Sequence, residues 1–255
     1  YFKLNGKGKG EIFFRATRRA VRDVIALLKD RYLNDYSTTD AAQFRDHLLD
    51  RGLVSSTVKR VFAIIRAVIN LSIQEYGLSC KNAFARTYIP DLEDTIKRQP
   101  IPIDIVRNIQ KECIKIDDPN RWLVALISDT GMRLSEALGL KVSDIKLNEK
   151  IPYLNIIPNS SRRLKTKSSE RQIPLVGSSL WAAKQIHLNV KGEFAFLHYT
   201  VQDYCYTNSA SAALNKWLKS KIHNNYVIHS FRHSVRDRLR ATNCPSEMID
   251  QIGGW

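Results

Sequence analysis

Two prolines, Pro100 and Pro102, follow a charged stretch and separate two parts of the chain that differ in pattern. The whole stretch covers residues 91–104 (DLEDTIKRQPIPID). Proline interrupts helices and favours extended backbone, so this segment is the best candidate for a linker. A chain of 255 residues has room for two ordinary domains. We therefore expect a first domain over residues 1–98 and a second over residues 99–255.

The first part is patterned as a small all-helical bundle. Apolar residues at helical spacing predict helices over residues 15–30, 39–52 and 55–77. Residues 1–12 are rich in Gly and Lys and are expected to be flexible or to form a short hairpin. The clearest helix has one apolar stripe, formed by Val58, Val61, Phe62, Ile65, Val68 and Ile69. Its opposite side carries Lys59, Arg60, Arg66 and Asn70.

The second part mixes helices with two short strands. Strand patterns occur at residues 153–157 and 171–175, and the polar, strongly basic segment 158–170 joins them. Helical patterns cover residues 103–116, 120–129, 134–140, 178–189, 209–219, 229–241 and 245–251. The predicted fold class is therefore mostly α with a small antiparallel sheet (α+β).

The charge of the chain indicates what kind of partner it has. Lys and Arg number 40 against 25 Asp and Glu, which gives a net charge of +15, and both halves share the excess. A polyanion is the leading explanation and nucleic acid the commonest one, although many basic proteins bind nothing in particular. No apolar stretch approaches the ~18 residues that a membrane-spanning helix needs, so we expect no membrane partner.

The sequence lacks the motifs that are typical of nucleotide-binding and metal-dependent enzymes. The chain has no phosphate-binding glycine loop, no H-E-x-x-H motif and no acidic cluster with metal-ligand spacing, so we expect neither a metal nor another cofactor. Its cysteines lie far apart without a C-x-x-C pair, which disfavours a zinc site or a disulfide framework and fits a reducing cytoplasm. They are Cys80, Cys113, Cys205 and Cys244. Because the start has no apolar signal core, we predict a cytoplasmic protein.

Two short segments and the last three residues could carry chemistry. In residues 130–140 (TGMRLSEALGL), Arg133 follows a glycine break at a helix start, and Glu136 could brace it. The alternative is a surface arginine beside a turn. In residues 229–233 (HSFRH), His229 and Arg232 share a helix face and could hold a phosphate between them. The alternatives are a helix cap with an exposed arginine and, for Gly253-Gly254-Trp255, a turn with a core tryptophan.

Taken in this order, the motifs resemble the tyrosine recombinase (phage integrase) family over most of residues 100–255. The helical first part resembles the core-binding domain of that family, especially in residues 57–60 (TVKR). The resemblance implies a C-shaped clamp in which the helical domain and the catalytic domain lie on opposite sides of a DNA duplex. It also implies a homotetramer on specific recombination sites, with accessory DNA-bending proteins as further candidate partners, and no cofactor.

The resemblance assigns roles to single residues. Arg133 and Arg232 match the two catalytic arginines, and His229 matches the first histidine of the His-x-x-Arg element. Trp255 matches a position that holds histidine or tryptophan near the end of the active site. The catalytic lysine of the family sits on the β-hairpin, which leaves Lys165 as our choice and Lys167 as its rival. Glu136 is expected to be a structural brace.

One element of the family pattern is missing. The nucleophilic tyrosine should follow shortly after the Gly-Gly-Trp element, and this chain stops at Trp255. The tyrosines that precede His229-x-x-Arg232 do not match the motif; they are Tyr199, Tyr204, Tyr206 and Tyr226. We therefore expect the nucleophile beyond Trp255 and no DNA cleavage by residues 1–255 alone.

The implied activity is that of a site-specific recombinase or integrase of a phage or other mobile element, cutting and rejoining DNA through a 3′-phosphotyrosyl intermediate. Contacts to DNA are expected from Thr57, Lys59, Arg60, Arg66, Arg162, Arg163 and Lys167. A DNA-binding module or degenerate integrase without strand cleavage is the alternative. The third hypothesis is a type IB topoisomerase-like enzyme, because such enzymes share the same phosphate-activating residues.

Overall fold

A computed structural model of the chain divides into two compact units, Tyr1–Lys97 and Arg98–Trp255. The structure describes residues 1–92, 94, 98–164, 169–201, 203–222 and 226–255. Within these residues, none of the helices combines the length and the apolar character that crossing a membrane requires.

The first unit is entirely helical in its described residues. Its helices are α1 (Phe2–Asn5), α2 (Glu11–Leu28), α3 (Thr38–Asp50) and α4 (Ser55–Glu75), with a 3₁₀ turn at Leu33–Asp35. The start does not form the hairpin that was one of the two expectations, because α1 and the first two residues of α2 lie there. Aromatic contacts explain the order: the Phe2 ring lies 5.1 Å from the Phe14 ring and 6.3 Å from the Phe13 ring.

The core of the first unit is built on three phenylalanines. The rings of Phe44, Phe62 and Phe84 are fully buried, with centroids 5.7 to 6.3 Å apart. Phe62 belongs to the apolar stripe of α4, and that stripe faces the core as the spacing predicts. The helices of this unit thus pack together through the faces that the sequence marks as apolar.

Seven helices form most of the second unit. They are α5 (Ile103–Ile116), α6 (Pro119–Thr130), α7 (Leu134–Leu138), α8 (Gly177–Asn189), α9 (Thr207–Lys221), α10 (Ser230–Ala241) and α11 (Ser246–Gly253), counted over the described residues. Helix α6 is buried along almost its whole length and packs against α5, α8 and α10. This central position explains why its sequence is apolar on nearly every side.

The strands form two small antiparallel sheets. In the first, β2 (Tyr153–Ile156) pairs with β1 (Ile145–Lys146) on one side and β3 (Arg171–Pro174) on the other, with Leu154 opposite Ile173. The second sheet pairs β4 (Thr200–Val201) with β5 (Tyr204–Cys205). The predicted class, mostly α with a small antiparallel sheet, is confirmed. The sequence missed β1, β4 and β5, because two residues are too few to show an alternating pattern.

Gly131 lies where three helices, α6, α7 and α10, come close together. It ends α6 in the left-handed conformation, at φ 61°. A Cβ at this position would lie 3.0 Å from the Cβ of Val235 on α10, so only glycine permits this approach. The chain then turns at Arg133, the residue that precedes α7.

Candidate active site

Arg133 is held by Glu136 through both its backbone and its side chain. Glu136 Oε2 accepts a hydrogen bond from the backbone N–H of Arg133 at 2.9 Å, which caps the start of α7. Glu136 Oε1 accepts from Arg133 Nη1 at 2.6 Å. The second terminal nitrogen, Nη2, donates to the carbonyl oxygen of Gly254 at 3.0 Å. The guanidinium therefore has a fixed orientation and stays partly open to solvent.

Arg232 lies on the first turn of α10 and is 3% exposed. Its Nη1 donates to the carbonyl oxygen of Gly131 at 2.8 Å, and its Nη2 donates to that of Gly254 at 3.3 Å. Burial and the positive charge of Arg133 lower the pKa of Arg232 to about 10. The guanidinium is thus still charged at neutral pH.

The two arginines converge on a single oxygen atom. Arg133 Nη2 and Arg232 Nη2 both donate to the Gly254 carbonyl oxygen, although the two arginines are 99 positions apart in the sequence. The two guanidinium groups thus bring two positive charges close together around one point, an arrangement that attracts an anion.

Glu136 is buried and accepts hydrogen bonds from two arginines. Besides Arg133, it bonds Arg171, whose Nη2 donates to Glu136 Oε2 at 2.9 Å. Burial by itself would raise the pKa of Glu136, but the bonds and charges of Arg171 and Arg133 outweigh it and hold the pKa below its ordinary value. Glu136 is therefore ionised and bonded to both arginines, and its role as a brace stays a prediction.

His229 lies at the N-terminus of α10, one turn before His233, and the two rings are 5.4 Å apart. Loss of water around the imidazole, together with electrostatic repulsion from Arg98, His233, Arg232 and Arg133, lowers the pKa of His229 to about 4. The ring borders a cavity that is also lined by Arg98 and Asn208. His229 is therefore neutral at physiological pH and can donate one hydrogen bond and accept another.

Trp255 packs its ring against the guanidinium of Arg232. Its ring stacks on the guanidinium of Arg232 at 4.5 Å and on that of Arg236 at 5.2 Å. Gly254 precedes it in the left-handed conformation, at φ 64°, and ends α11. The structure thus brings four of the predicted catalytic residues close to one another. They are Arg133, His229, Arg232 and Trp255.

The other predicted site residues have different outcomes. Lys165 and Lys167, the two candidates for the catalytic lysine, lie outside the described residues. The prediction that Arg162 contacts DNA is wrong, because its side chain is fully buried. Its Nη2 donates to Asp144 at 2.9 Å and its Nε to the Ile157 carbonyl at 2.8 Å. Arg162 therefore has a structural position, while its neighbour Arg163 is exposed.

The predicted DNA-contacting residues of the first unit lie on α4. Lys59 is exposed and forms an ion pair with Asp91 at 3.3 Å. Arg60 is exposed, and Thr57 is half-buried. Arg66 donates to the backbone carbonyls of Phe62 and Ala85. Their contact with DNA stays a prediction, and Lys59 and Arg60 are the two exposed residues among the four.

Arg171 is a buried residue of the site that the sequence motifs do not mark. The sequence pattern predicts only a strand there, yet the Arg171 side chain is buried beside Glu136 and donates to the carbonyl oxygens of Ser169 and Ile252, both at 2.8 Å. A signal was present in the alternation of β3, where Arg171 lies on the same face as the buried Ile173. An arginine on the inner face of a strand needs a buried acceptor, and this rule could have identified it.

No cluster of three or more His, Cys, Asp or Glu side chains suited to a metal ion occurs among the residues that the structure describes. The donors at the site are guanidinium groups, an imidazole and an indole. All of these can donate hydrogen bonds to an anion, so the site can bind and stabilise negative charge with its own side chains.

Comparisons with known proteins identify a matching family and a curated relative of this chain. The model of the family described as "Phage integrase family" matches residues 103–255. A curated relative, the tyrosine recombinase XerC of Psychromonas ingrahamii, is 21% identical over 227 residues, which cover 85% of this chain and 73% of the relative.

Two solved structures are similar over almost the whole chain. The integrase of transposon Tn1549 in complex with circular intermediate DNA has a TM-score of 0.76 at 17% identity, covering 100% of this chain and 89% of that chain. A lambda integrase dimer bound to a COC′ core site has a TM-score of 0.73 at 15% identity, covering 99% and 90%. At these identities the likeness shows a shared fold.

Proposed function

The chain belongs to the phage integrase family of tyrosine recombinases, enzymes that break and rejoin DNA, and we propose that it serves as a site-specific recombinase of a phage or other mobile element. The observation that carries the proposal is the convergence of Arg133 and Arg232 on one oxygen atom. In the DNA complex, oxygens of the scissile phosphate take hydrogen bonds from these donors.

The two arginines act by stabilising charge. When phosphorus is attacked, negative charge spreads over the non-bridging oxygens, and preorganised guanidinium groups lower the barrier. Arg133 is held by Glu136, and Arg232 by the Gly131 carbonyl and the Trp255 ring. Because these contacts exist before DNA binds, little reorganisation is needed when the charge develops.

The covalent step is a transesterification. A tyrosine encoded after Trp255 attacks phosphorus, the bond from phosphorus to the 5′ oxygen breaks, and the tyrosine becomes linked to the 3′ phosphate. Lys165 or Lys167 donates a proton to the departing 5′ oxygen, and neutral His229 accepts the tyrosine proton. Attack of a 5′ hydroxyl on the phosphotyrosine reverses these steps and rejoins the strand without ATP.

The partners follow from the same proposal. Double-stranded DNA at specific recombination sites is the substrate, and a homotetramer assembles on it. In support, a solved lambda integrase is described as a tetramer bound to a Holliday junction; it has a TM-score of 0.74 at 15% identity, covering 98% of this chain and 70% of that one. The Tn1549 relative supports a mobile element as the source.

Covalent trapping tests the proposal. The protein with its residues beyond Trp255 is incubated with a nicked substrate whose short 5′ product diffuses away, so that rejoining cannot occur. We expect an adduct that survives denaturation, carries the 3′ end of the DNA and leaves a free 5′ hydroxyl. DNA binding without any adduct would leave only a binding module, while relaxation of supercoils without joining of two defined sites would indicate a topoisomerase.

A further inference from the structure

Arg171 makes three hydrogen bonds from a side chain that is 2% exposed. Its Nη2 bonds Glu136, its Nε bonds the Ile252 carbonyl, and its Nη1 bonds the Ser169 carbonyl, all at 2.8 to 2.9 Å. The acceptors belong to α7, to α11 and to the chain just before β3. One guanidinium thus joins three separate segments of the second unit.

Two of these bonds connect Arg171 to the groups that hold Arg133 and Arg232. Glu136 holds Arg133 through its side chain and its backbone N–H. Ile252 lies in the last turn of α11, two residues before Gly254, whose carbonyl oxygen receives both arginines. Because Arg171 fixes Glu136 and the end of α11 together, it sets the position of Arg133 relative to Arg232.

Close packing limits how far this arrangement can move. A Cβ at Gly254 would lie 3.0 Å from Arg171 Nη1, so the backbone at Gly254 packs directly on the guanidinium. Gly254 also has a left-handed φ of 64°, which other residues rarely adopt. A smaller or differently shaped cation at position 171 would leave this backbone without its support.

The charges give Arg171 a second role. Glu136 is a buried anion, and with Arg133 as its only partner it would cancel most of the positive charge of that arginine. Arg171 supplies a second positive charge to the same carboxylate, at 2.9 Å. The cluster of Arg133, Glu136 and Arg171 therefore keeps a net positive charge that is available to a phosphate.

We propose that Arg171 is a positioning residue for DNA cleavage, which acts through Glu136 and the end of α11 to align Arg133 with Arg232 on the scissile phosphate. The inference rests on the proposed recombinase function. Arg171 itself does not touch the substrate, because its donors are directed to protein acceptors.

Arg171→Lys is the informative variant, since lysine keeps the charge but cannot reach three acceptors with a planar fork. We expect the single-turnover cleavage rate at saturating protein to fall by about 10²-fold, the loss typical of a small misplacement of reacting groups. DNA affinity should stay within about twofold, since Arg171 makes no contact with DNA. A cleavage rate equal to that of the wild type would overturn the inference.

A double-mutant cycle separates positioning from mere stabilisation. If Arg171 acts through Arg133, then R171K should lower the cleavage rate much less in an R133K background than in the wild type. The control is Arg238→Lys, because Arg238 forms an ion pair of the same length, 2.9 Å, with Asp129, which links α10 to α6 from a more exposed position. In the double variant R133K/R238K, the fold-reduction of the cleavage rate should equal the product of the two single fold-reductions to within about twofold. If the fold-reduction in R133K/R171K also equals the product of the single ones, the positioning role of Arg171 is contradicted.

Folding and function can be told apart in this design. Thermal melting identifies a variant that fails to fold, and Glu136→Gln then replaces R171K, because it breaks the link to Arg133 and leaves the two carbonyl bonds of Arg171 intact. The wild-type protein is assayed for the covalent adduct in parallel. Absence of a wild-type adduct refutes the recombinase function itself, whereas a normal adduct with unaltered R171K and E136Q rates refutes only the role of Arg171.

Discussion

The guanidinium of Arg162 is closed off from water, and its ion pair with Asp144 is one of the most buried in the described residues. Removing one partner of such a pair leaves an uncompensated buried charge. We therefore expect Arg162→Ala to lower the free energy of unfolding by about 3–5 kcal/mol in urea denaturation. Arg240→Ala is the control, because its pair with Asp237 is exposed; it should stay within about 0.5 kcal/mol. A small effect of R162A would restore the surface role that the sequence suggested.

His229 links the electrostatics of the site to pH. Its pKa is about 4 in the folded protein and about 6.5 in an unfolded chain. Between these values the unfolded state binds more protons, so this residue lowers the free energy of unfolding as the pH falls from 6.5 towards 4. We expect His229→Gln to lose less stability than the wild type across this window. An NMR titration of the imidazole that gave a pKa near 6.5 would contradict the crowding of positive charge at the site.

Among the elements, Ser37 starts α3 with a reciprocal cap. Its hydroxyl accepts from the backbone N–H of Asp40 at 3.1 Å, while Asp40 accepts from the backbone N–H of Ser37 at 2.8 Å. We expect Ser37→Ala to lower the free energy of unfolding of the first unit by about 1 kcal/mol, measured in urea. Ser56→Ala, at an exposed position of α4, is the control and should change it by less than about 0.5 kcal/mol. Equal effects of both variants would show that the cap contributes nothing.

Long elements with clear ends were predictable from the sequence. Residues 103–116 were predicted as a helix with the bounds that α5 has, because Pro102 precedes the helical pattern and Asp117-Asp118-Pro119 follows it. In the structure, Asp117 ends the helix in the left-handed conformation. Helix α1, within residues 1–12, was not predicted, since it is stabilised by aromatic contacts with α2 that local composition does not reveal. Two-residue strands are set by their partners and carry no pattern of their own.

The same limit applies to the candidate site. The arginines, the histidine and the tryptophan could be identified because short motifs surround them, and a family resemblance ordered them. Their convergence on the Gly254 carbonyl spans up to 121 residues of sequence and depends on tertiary packing. Arg162 and Arg163 are adjacent and chemically identical, yet one is buried against Asp144 and the other is exposed, a difference that only the fold determines.

For the whole molecule, the net charge of +15 determines how DNA binding responds to salt. Each phosphate that a Lys or Arg neutralises releases counterions, so affinity should fall steeply with salt. We expect Arg60→Ala to weaken binding on all sequences and to reduce the slope of log affinity against log salt by about 1. Arg45→Ala is the control, because Arg45 is bonded to Asp46 and to the Tyr88 carbonyl. An unchanged slope for R60A would remove α4 from the DNA interface.

DNA whose scissile phosphate is replaced by an uncharged methylphosphonate shows whether Arg133 and Arg232 stabilise the charge of one phosphate. Single-turnover cleavage of this DNA and of ordinary DNA is measured for the full-length wild type, R133A and R232A. We predict that both substitutions cost far less on the methylphosphonate than on the phosphate, because its transition state carries one negative charge fewer on the non-bridging positions. Equal losses on the two substrates would mean that the two arginines do not act on the charge of the phosphate.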